Sequence, residues 1–202
     1  MYGKVVETYK KSFDFISFSR GFSLVELILT IGLMSIILAI AIPSYNNFIN
    51  SRRIKFETDK LISILSLARN SALMKNRSVV VCNLEEVEWF EEIERQCDRY
   101  RGWEEKMIVF YEADKSTIEE IHEENILNIL DIADDYFWYF VGATKRNYYL
   151  RFNANAMTDN QNGTFYLCKR DDPNAKHKVI INKSGRIRDE KATNKDNEKC
   201  SS

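Results

Sequence analysis

Histidine is nearly missing from this chain: only His122 and His177 occur among 202 residues, far apart in sequence. Neither stands beside a nucleophile motif or a glycine-rich phosphate loop, so hydrolytic and phosphoryl-transfer chemistry has no visible machinery. With two prolines and seven glycines, the chain has no linker long enough to divide its soluble part, and no internal repeat. Four cysteines, Cys82, Cys97, Cys168 and Cys200, show no Cys-x-x-Cys pair and no neighbouring histidine cluster. A zinc site is therefore not expected. Carboxylates abound, but none follow the spacing of an EF-hand. The expectation is a protein without catalytic residues, cofactor, metal or small-molecule substrate.

Net charge is also close to absent, at −1. That balance hides a split: residues 1–21 carry +2, 22–84 carry +4, 85–135 carry −13 and 136–202 carry +6. Such a split points to distinct surfaces rather than to a uniformly basic or acidic protein.

What the chain does have is one long apolar run. Phe22 to Ile42 is long enough to cross a bilayer as a helix, since ~20 residues span ~30 Å. Pro43 closes it where a helix is expected to bend. Glu26, five positions in, is an ionisable group inside a membrane segment, and such a group is functional by default. A signal anchor accounts for the run alone. A secretory signal peptide has a small-residue site in Ala39-Ile40-Ala41, but its apolar region is then longer than the usual ~7–15 residues. Neither accounts for Glu26 beside Gly21-Phe22.

Gly21 followed by Phe22-Ser-Leu-Val-Glu26, the apolar run and Pro43 resemble the type III signal of type IV pilins and pseudopilins. The resemblance implies that prepilin peptidase cuts after Gly21 on the cytoplasmic side and methylates Phe22. It makes Glu26 and Pro43 assembly residues: the Glu26 carboxylate meets a neighbouring subunit's Phe22 amine and sets the axial register. Residues 1–21 are then a leader, with Lys4, Lys10, Lys11 and Arg20 suited to the cytoplasmic side. Residues 22–50 form the membrane and assembly helix, and residues 51–202 a periplasmic domain.

Beyond Pro43 the helical pattern continues. Ile54, Leu61, Leu65, Ala68 and Ala72 recur on one face, with Lys55, Asp59, Ser63, Ser66 and Asn70 on another. Lys75, Asn76 and Arg77 supply an end signal: cations at the C-terminus, then an asparagine able to turn left-handed. Short runs at 78–82, 107–111, 137–141, 148–152, 164–168 and 179–181 read as strands. The predicted fold is α+β, a long N-terminal helix whose first half is transmembrane and whose second half covers an antiparallel sheet. Cysteines in an exported domain are free to pair. Cys82–Cys97 and Cys168–Cys200 are expected, because each ties a loop or tail to a predicted strand; free thiols are the alternative.

The order Leu67-Ala-Arg-Asn-Ser-Ala72, Asn76-Arg-Ser-Val-Val-Val-Cys82, Trp103, Gly163-Thr-Phe-Tyr-Leu-Cys168 and Val179-Ile-Ile-Asn-Lys-Ser-Gly-Arg-Ile-Arg188 resembles the FimT/GspH branch of minor pilins and pseudopilins. It departs at the acidic Glu85–Glu94 stretch and at Glu104-Glu105-Lys106. The branch implies other pilins or pseudopilins as partners and an inner-membrane, single-pass location. Gly185-Arg-Ile-Arg188 also matches the Gly-Arg-x-Arg motif of FimT-type subunits that bind DNA in natural transformation. If residues 186–188 are extended, alternation puts Arg186 and Arg188 on one face ~6.6 Å apart with Ile187 inward. Arginine pairs bidentately with phosphate, and Lys183 and Lys178 extend the candidate patch, with Lys176, Lys191, Lys169 and Arg170 around it. The competing reading is solubilising charge neutralised by Asp189-Glu190. Tyr148, Tyr149 and Tyr166 are candidates for base stacking, though tyrosines alternating in a sheet are more often core. Three classes stay open: a structural subunit of a pilus or of a type II secretion pseudopilus, the same subunit with DNA reception, and an unrelated membrane-anchored binding module.

Overall fold

A computed structural model describes residues 21–89, 92–99, 102–113, 121–144 and 148–200. The leader up to Arg20 and parts of the acidic middle, Glu91 among them, lie outside the described residues. Two compact units divide the chain, Met1–Asn47 and Phe48–Ser202. Helix α1, Leu24–Lys75, contributes to both. The division falls inside this helix, a little before the 50/51 boundary read from sequence.

In the first unit α1 is apolar on every side and buries none of it. Phe22 and Ile40 are about 70% exposed, and the residues between are similarly bare. A helix apolar all round needs an apolar surrounding, and this one is long and apolar enough to cross a membrane. Two of its polar side chains are satisfied locally: the Thr30 and Ser35 hydroxyls donate to the carbonyls of Leu27 and Gly32, each at 2.8 Å. That removes the cost of unpaired groups where water is absent. Pro43 lies inside α1, and its missing N–H leaves the Ala39 carbonyl without its helical donor.

The second unit has its own core. Glu57, Thr58, Leu61, Ile64, Leu65, Ala68, Ser71 and Ala72 make the buried stripe of α1, at the three-and-four spacing of a helix face. The helix stops as its sequence suggests: Asn76 takes φ 50°, and the Arg77 N–H reaches the Ala72 carbonyl at 3.3 Å, a Schellman closure.

Two antiparallel sheets follow, where the sequence reading expected one. In the first, β1 (Val79–Trp89) is central. Its second half forms a hairpin with β2 (Glu92–Cys97), and its first half pairs with β3 (Lys106–Tyr111) on one side and β6 (Tyr149–Phe152) on the other. Strand β4 (Ile126–Asp131) adds to β3. The second sheet runs β5-β7-β8-β9, made of Tyr136–Gly142, Gly163–Lys169, Asp172–Ile181 and Ile187–Lys191. Alternation along β1 explains why the first sheet is buried on both faces. Val79 and Val81 join the main core with Leu61, Leu65 and Trp138, while Val80 and Cys82 join a second cluster with Ile108, Phe110 and Tyr149. Trp103 and Phe165 meet edge to face at 4.8 Å in the main core.

All four cysteines are bonded. Cys82–Cys97 closes the base of the β1–β2 hairpin, and Cys168–Cys200 ties β7 to the short 3-10 segment Asn194–Cys200. Polar contacts back the second bond. Asp196 accepts from the Thr193 N–H and hydroxyl at 2.8 Å each and from Lys178 at 3.2 Å. Burial alone pushes the Asp196 carboxyl up, but these donors outweigh it and hold it below its ordinary value. Closing 32 residues of chain restricts the unfolded state strongly. Replacing Cys168 and Cys200 by serine is expected to cost about 3 kcal/mol, read as a lower urea midpoint of the full chain in neutral detergent. An unchanged midpoint would show that the Asp196 contacts already pin the C-terminal segment.

Candidate functional site

The basic segment sits on the hairpin of β8 and β9. Its turn is closed by the Gly185 N–H donating to Asn182 O at 2.8 Å and the Asn182 N–H donating to Arg186 O at 3.0 Å. Gly185 has φ +73°, a left-handed value that glycine adopts without strain. The Thr158 N–H donates to Lys183 O at 3.1 Å, holding the turn against the loop that precedes β7. Strand β9 starts at Ile187, so Arg186 belongs to the turn and Arg188 to the strand, opposite Ile180. Ile187 is half-buried against the main core, and Arg186 and Arg188 are both exposed. Ile187 is turned inward as read from sequence, but only Arg188 is in the strand, because residues 186–188 are not strand throughout.

The charges around them are spoken for. Asp189 pairs with Lys55 of α1 at 3.7 Å, and Glu190 faces Lys178 at 3.8 Å. Neither acid neutralises an arginine. Among the described residues, Lys183, Arg186 and Arg188 make no ion pair and no side-chain hydrogen bond. Lys178 is different. Its side chain is 16% exposed and its ammonium lies between Asp196 and Glu190, so it holds the C-terminal segment rather than extending a free basic surface. Lys176 is paired with Asp172, and that ammonium, with the Asn174 amide, depresses the Asp172 carboxyl to about 2. Arg170 donates to Asp134 O at 2.8 Å and pairs with Glu104 at 3.2 Å. Of the candidate cations, Lys183, Arg186 and Arg188 stay free at the turn and the start of β9, and Lys191 is exposed at the end of that strand.

The tyrosines divide similarly. Tyr149 is 3% exposed and belongs to the second core cluster, so it has no face to offer a base. Tyr148 packs on it edge to face at 4.9 Å. Tyr166 is half-buried across the sheet from Tyr139 and Lys178. Burial, then Asp196, raises its hydroxyl pKa. Of the histidines, His177 is half-buried with Nδ1 unpartnered, and burial lowers its pKa.

Sequence reasoning missed Arg69. It lines a shallow depression with Ser66, Asn70, Ser184, Gly185, Arg186 and Ile187. A signal was present: Ser66, Arg69 and Asn70 fall at i, i+3 and i+4, one patch of the helix surface. At the other end of the chain, Gly21, Phe22 and Ser23 precede α1 in non-helical backbone, and no atom would obstruct a side chain at Gly21. Glu26 is exposed in the first turn of α1.

An exposed apolar helix that continues into an α+β domain is the build of the minor pilins and pseudopilins. The chain belongs to the family of the type II transport protein GspH, which matches residues 57–185. That match covers the packed part of α1 and strands β1 to β8 and ends at Gly185, before Arg186 and β9. The type IV minor pilin FimU of Pseudomonas aeruginosa, solved in two crystal forms, is similar in structure. One form shows 16% identity over 71% of this chain and 92% of that one, with a TM-score of 0.49. The other shows 16% identity over 67% and 91%, with a TM-score of 0.47. No curated protein matches the chain.

Proposed function

We propose that this chain is a minor pilin, cut by prepilin peptidase between Gly21 and Phe22, held in the inner membrane by residues 22–42 and built into a type IV pilus with its domain on the periplasmic side. In that position Arg186 and Arg188, with Lys183 beside them, receive DNA for uptake. The observation that carries this reading is the pair of exposed, unpaired guanidinium groups flanking the anchored Ile187. Unpaired arginines on a fixed turn are ready to meet phosphates without first breaking an ion pair, and phosphate contacts give affinity that does not depend on sequence.

The second reading is a GspH-type pseudopilin of a type II secretion system that acts only in assembly. The family match over residues 57–185 favours it. One experiment separates the two: binding of duplex DNA by the full chain in neutral detergent across a salt series, beside Arg186→Ala/Arg188→Ala. The DNA reading expects the double variant to bind roughly a hundredfold more weakly at low salt, with a salt slope shallower by about two. Absence of binding by both proteins at low salt removes DNA reception and leaves the assembly role.

A further inference from the structure

We infer that the depression between α1 and the β8–β9 turn is a seat for a single phosphate group, built on Arg69 with Arg186 at its rim. The inference deepens the DNA reading and rests on it for the source of the phosphate, a backbone phosphate of the bound strand. Four observations meet here. The lining offers two guanidinium groups, the Ser66 and Ser184 hydroxyls and the Asn70 amide, and no carboxylate. Arg69 Nε is buried and has no hydrogen-bond partner, and its guanidinium makes no ion pair among the described residues. Arg186 is exposed and equally unpaired. The depression, about 520 Å³, is open to solvent and wider than one small anion, as a passing sugar–phosphate chain requires.

The physics favours an anion. A guanidinium with a desolvated, unpaired N–H keeps its charge, because arginine does not deprotonate in proteins, and it carries an unrecovered desolvation cost. An oxyanion recovers that cost electrostatically and takes charge-assisted hydrogen bonds from the remaining donors. Gly185 favours the arrangement: a Cβ there would stand 3.0 Å from Arg69 Nε and push the guanidinium back from the turn by a few tenths of an ångström. Arg186, the next residue, is thereby brought to the same rim. Ser66 and Asn70 lie on the Arg69 surface of the helix, and Ser184 lies on the turn.

Two measurements on the full chain in neutral detergent test the seat. In the first, inorganic phosphate is titrated against ¹⁵N-labelled protein while the arginine Nε–H signals are followed. The Arg69 signal is expected to shift saturably with phosphate and not with chloride at equal ionic strength. Ser184→Asp, an exposed change that puts a carboxylate at the mouth, is expected to abolish the shift while leaving the thermal midpoint unchanged. In the second, duplex DNA binding is compared for Arg69→Gln and Arg69→Lys. Arg69→Gln is expected to weaken binding roughly tenfold and to lower the salt slope by about one, with Arg69→Lys restoring the slope and part of the affinity. If DNA binding depends on Arg186 and Arg188 but ignores Arg69→Gln and Ser184→Asp, the seat falls and the DNA reading stands. If DNA does not bind but phosphate moves Arg69 saturably, the DNA reading falls and the seat remains. An Arg69 signal that answers phosphate and chloride alike overturns the seat.

Discussion

Replacing Gly185 by alanine is expected to destabilise the domain by about 3 to 4 kcal/mol and lower its thermal midpoint by roughly 10 °C. Two costs add. The first is conformational: Gly185 sits at φ +73°, where an alanine pays roughly 1–2 kcal/mol. The second is steric: a Cβ at this position lies well inside van der Waals contact of the Ala156 carbonyl oxygen. That oxygen has little room to retreat. Ala156 is itself 1% exposed and left-handed at φ 57°. Its N–H donates to Asn153 O at 2.7 Å, and Asn153 Oδ1 accepts from the N–H groups of Asn155 and Met157 at 3.0 and 3.1 Å. Overpacking against a braced loop of this kind costs about 1–3 kcal/mol. Gly185→Asn separates the two terms, because asparagine visits the left-handed region readily but carries the same Cβ. Thermal melts of the full chain in neutral detergent decide the matter. A Gly185→Asn protein as stable as wild type would show that the contact with Ala156 yields, and an unchanged Gly185→Ala midpoint would refute both terms.

Local chemistry made part of this fold legible. The stripe Leu61, Leu65, Ala68 and Ala72 shows in the spacing of apolar residues, and the end of α1 shows in Lys75-Asn76, because both depend on near neighbours in the chain. Strand β2 was not legible. Its sequence, Glu92-Ile-Glu-Arg-Gln-Cys97, lacks an apolar alternation. It is held by its ladder to β1, by the Cys82–Cys97 bond and by cross-strand polar pairs: Arg95 with Glu86 at 3.4 Å and Gln96 with Glu85 at 3.1 Å. Lys106 reaches Glu86 at 2.9 Å and is the chief cause of its lowered carboxyl pKa. Such charges read in sequence as a solvated run because their partners lie on other strands. Strand β4 escaped for a different reason. Ile126, Leu127, Ile129 and Leu130 do not alternate cleanly, and the β3–β4 register shifts between Val109 and Phe110. The same limit applied to the site. Gly185-Arg-Ile-Arg188 is a local motif and was visible, whereas the company of Arg69 exists only once α1 lies beside the turn. Lys178 looked like one more cation of the patch until its cross-strand Glu190 and the C-terminal Asp196 were in place.

Glu26→Gln is expected to leave membrane insertion and cleavage at Gly21 intact while reducing incorporation into the filament by roughly a hundredfold or more, as loss of one partner of a buried ion pair, about 3–5 kcal/mol, produces. The choice of glutamine matters because the first turn of α1 offers Glu26 a local role. Ser23 stands just before the helix and Glu26 three residues on, the spacing of a capping box, and a carboxylate near a helix N-terminus is favoured by the helix dipole. In the structure the Leu27 N–H donates to the Ser23 carbonyl at 3.1 Å, as to a helix-capping residue, but neither the Ser23 hydroxyl nor the Glu26 carboxylate makes a side-chain hydrogen bond among the described residues. Glutamine keeps the size and the capping ability of glutamate and removes only the charge. In the proposed filament that charge faces the Phe22 amine of a neighbouring subunit, in surroundings supplied by the exposed apolar residues from Phe22 to Ile42. An amine left there without its carboxylate is more costly than a carboxylate exposed at the membrane surface, so the defect belongs to assembly and not to insertion. Membrane fractionation, N-terminal sequencing and quantification of the subunit in sheared filaments read the three steps separately. Normal incorporation of Glu26→Gln would assign Glu26 to capping, since the amide does that work as well as the acid. A protein that stays uncut would place Glu26 in recognition by the peptidase instead. Loss of incorporation with cutting and insertion preserved is the result that the ion pair requires.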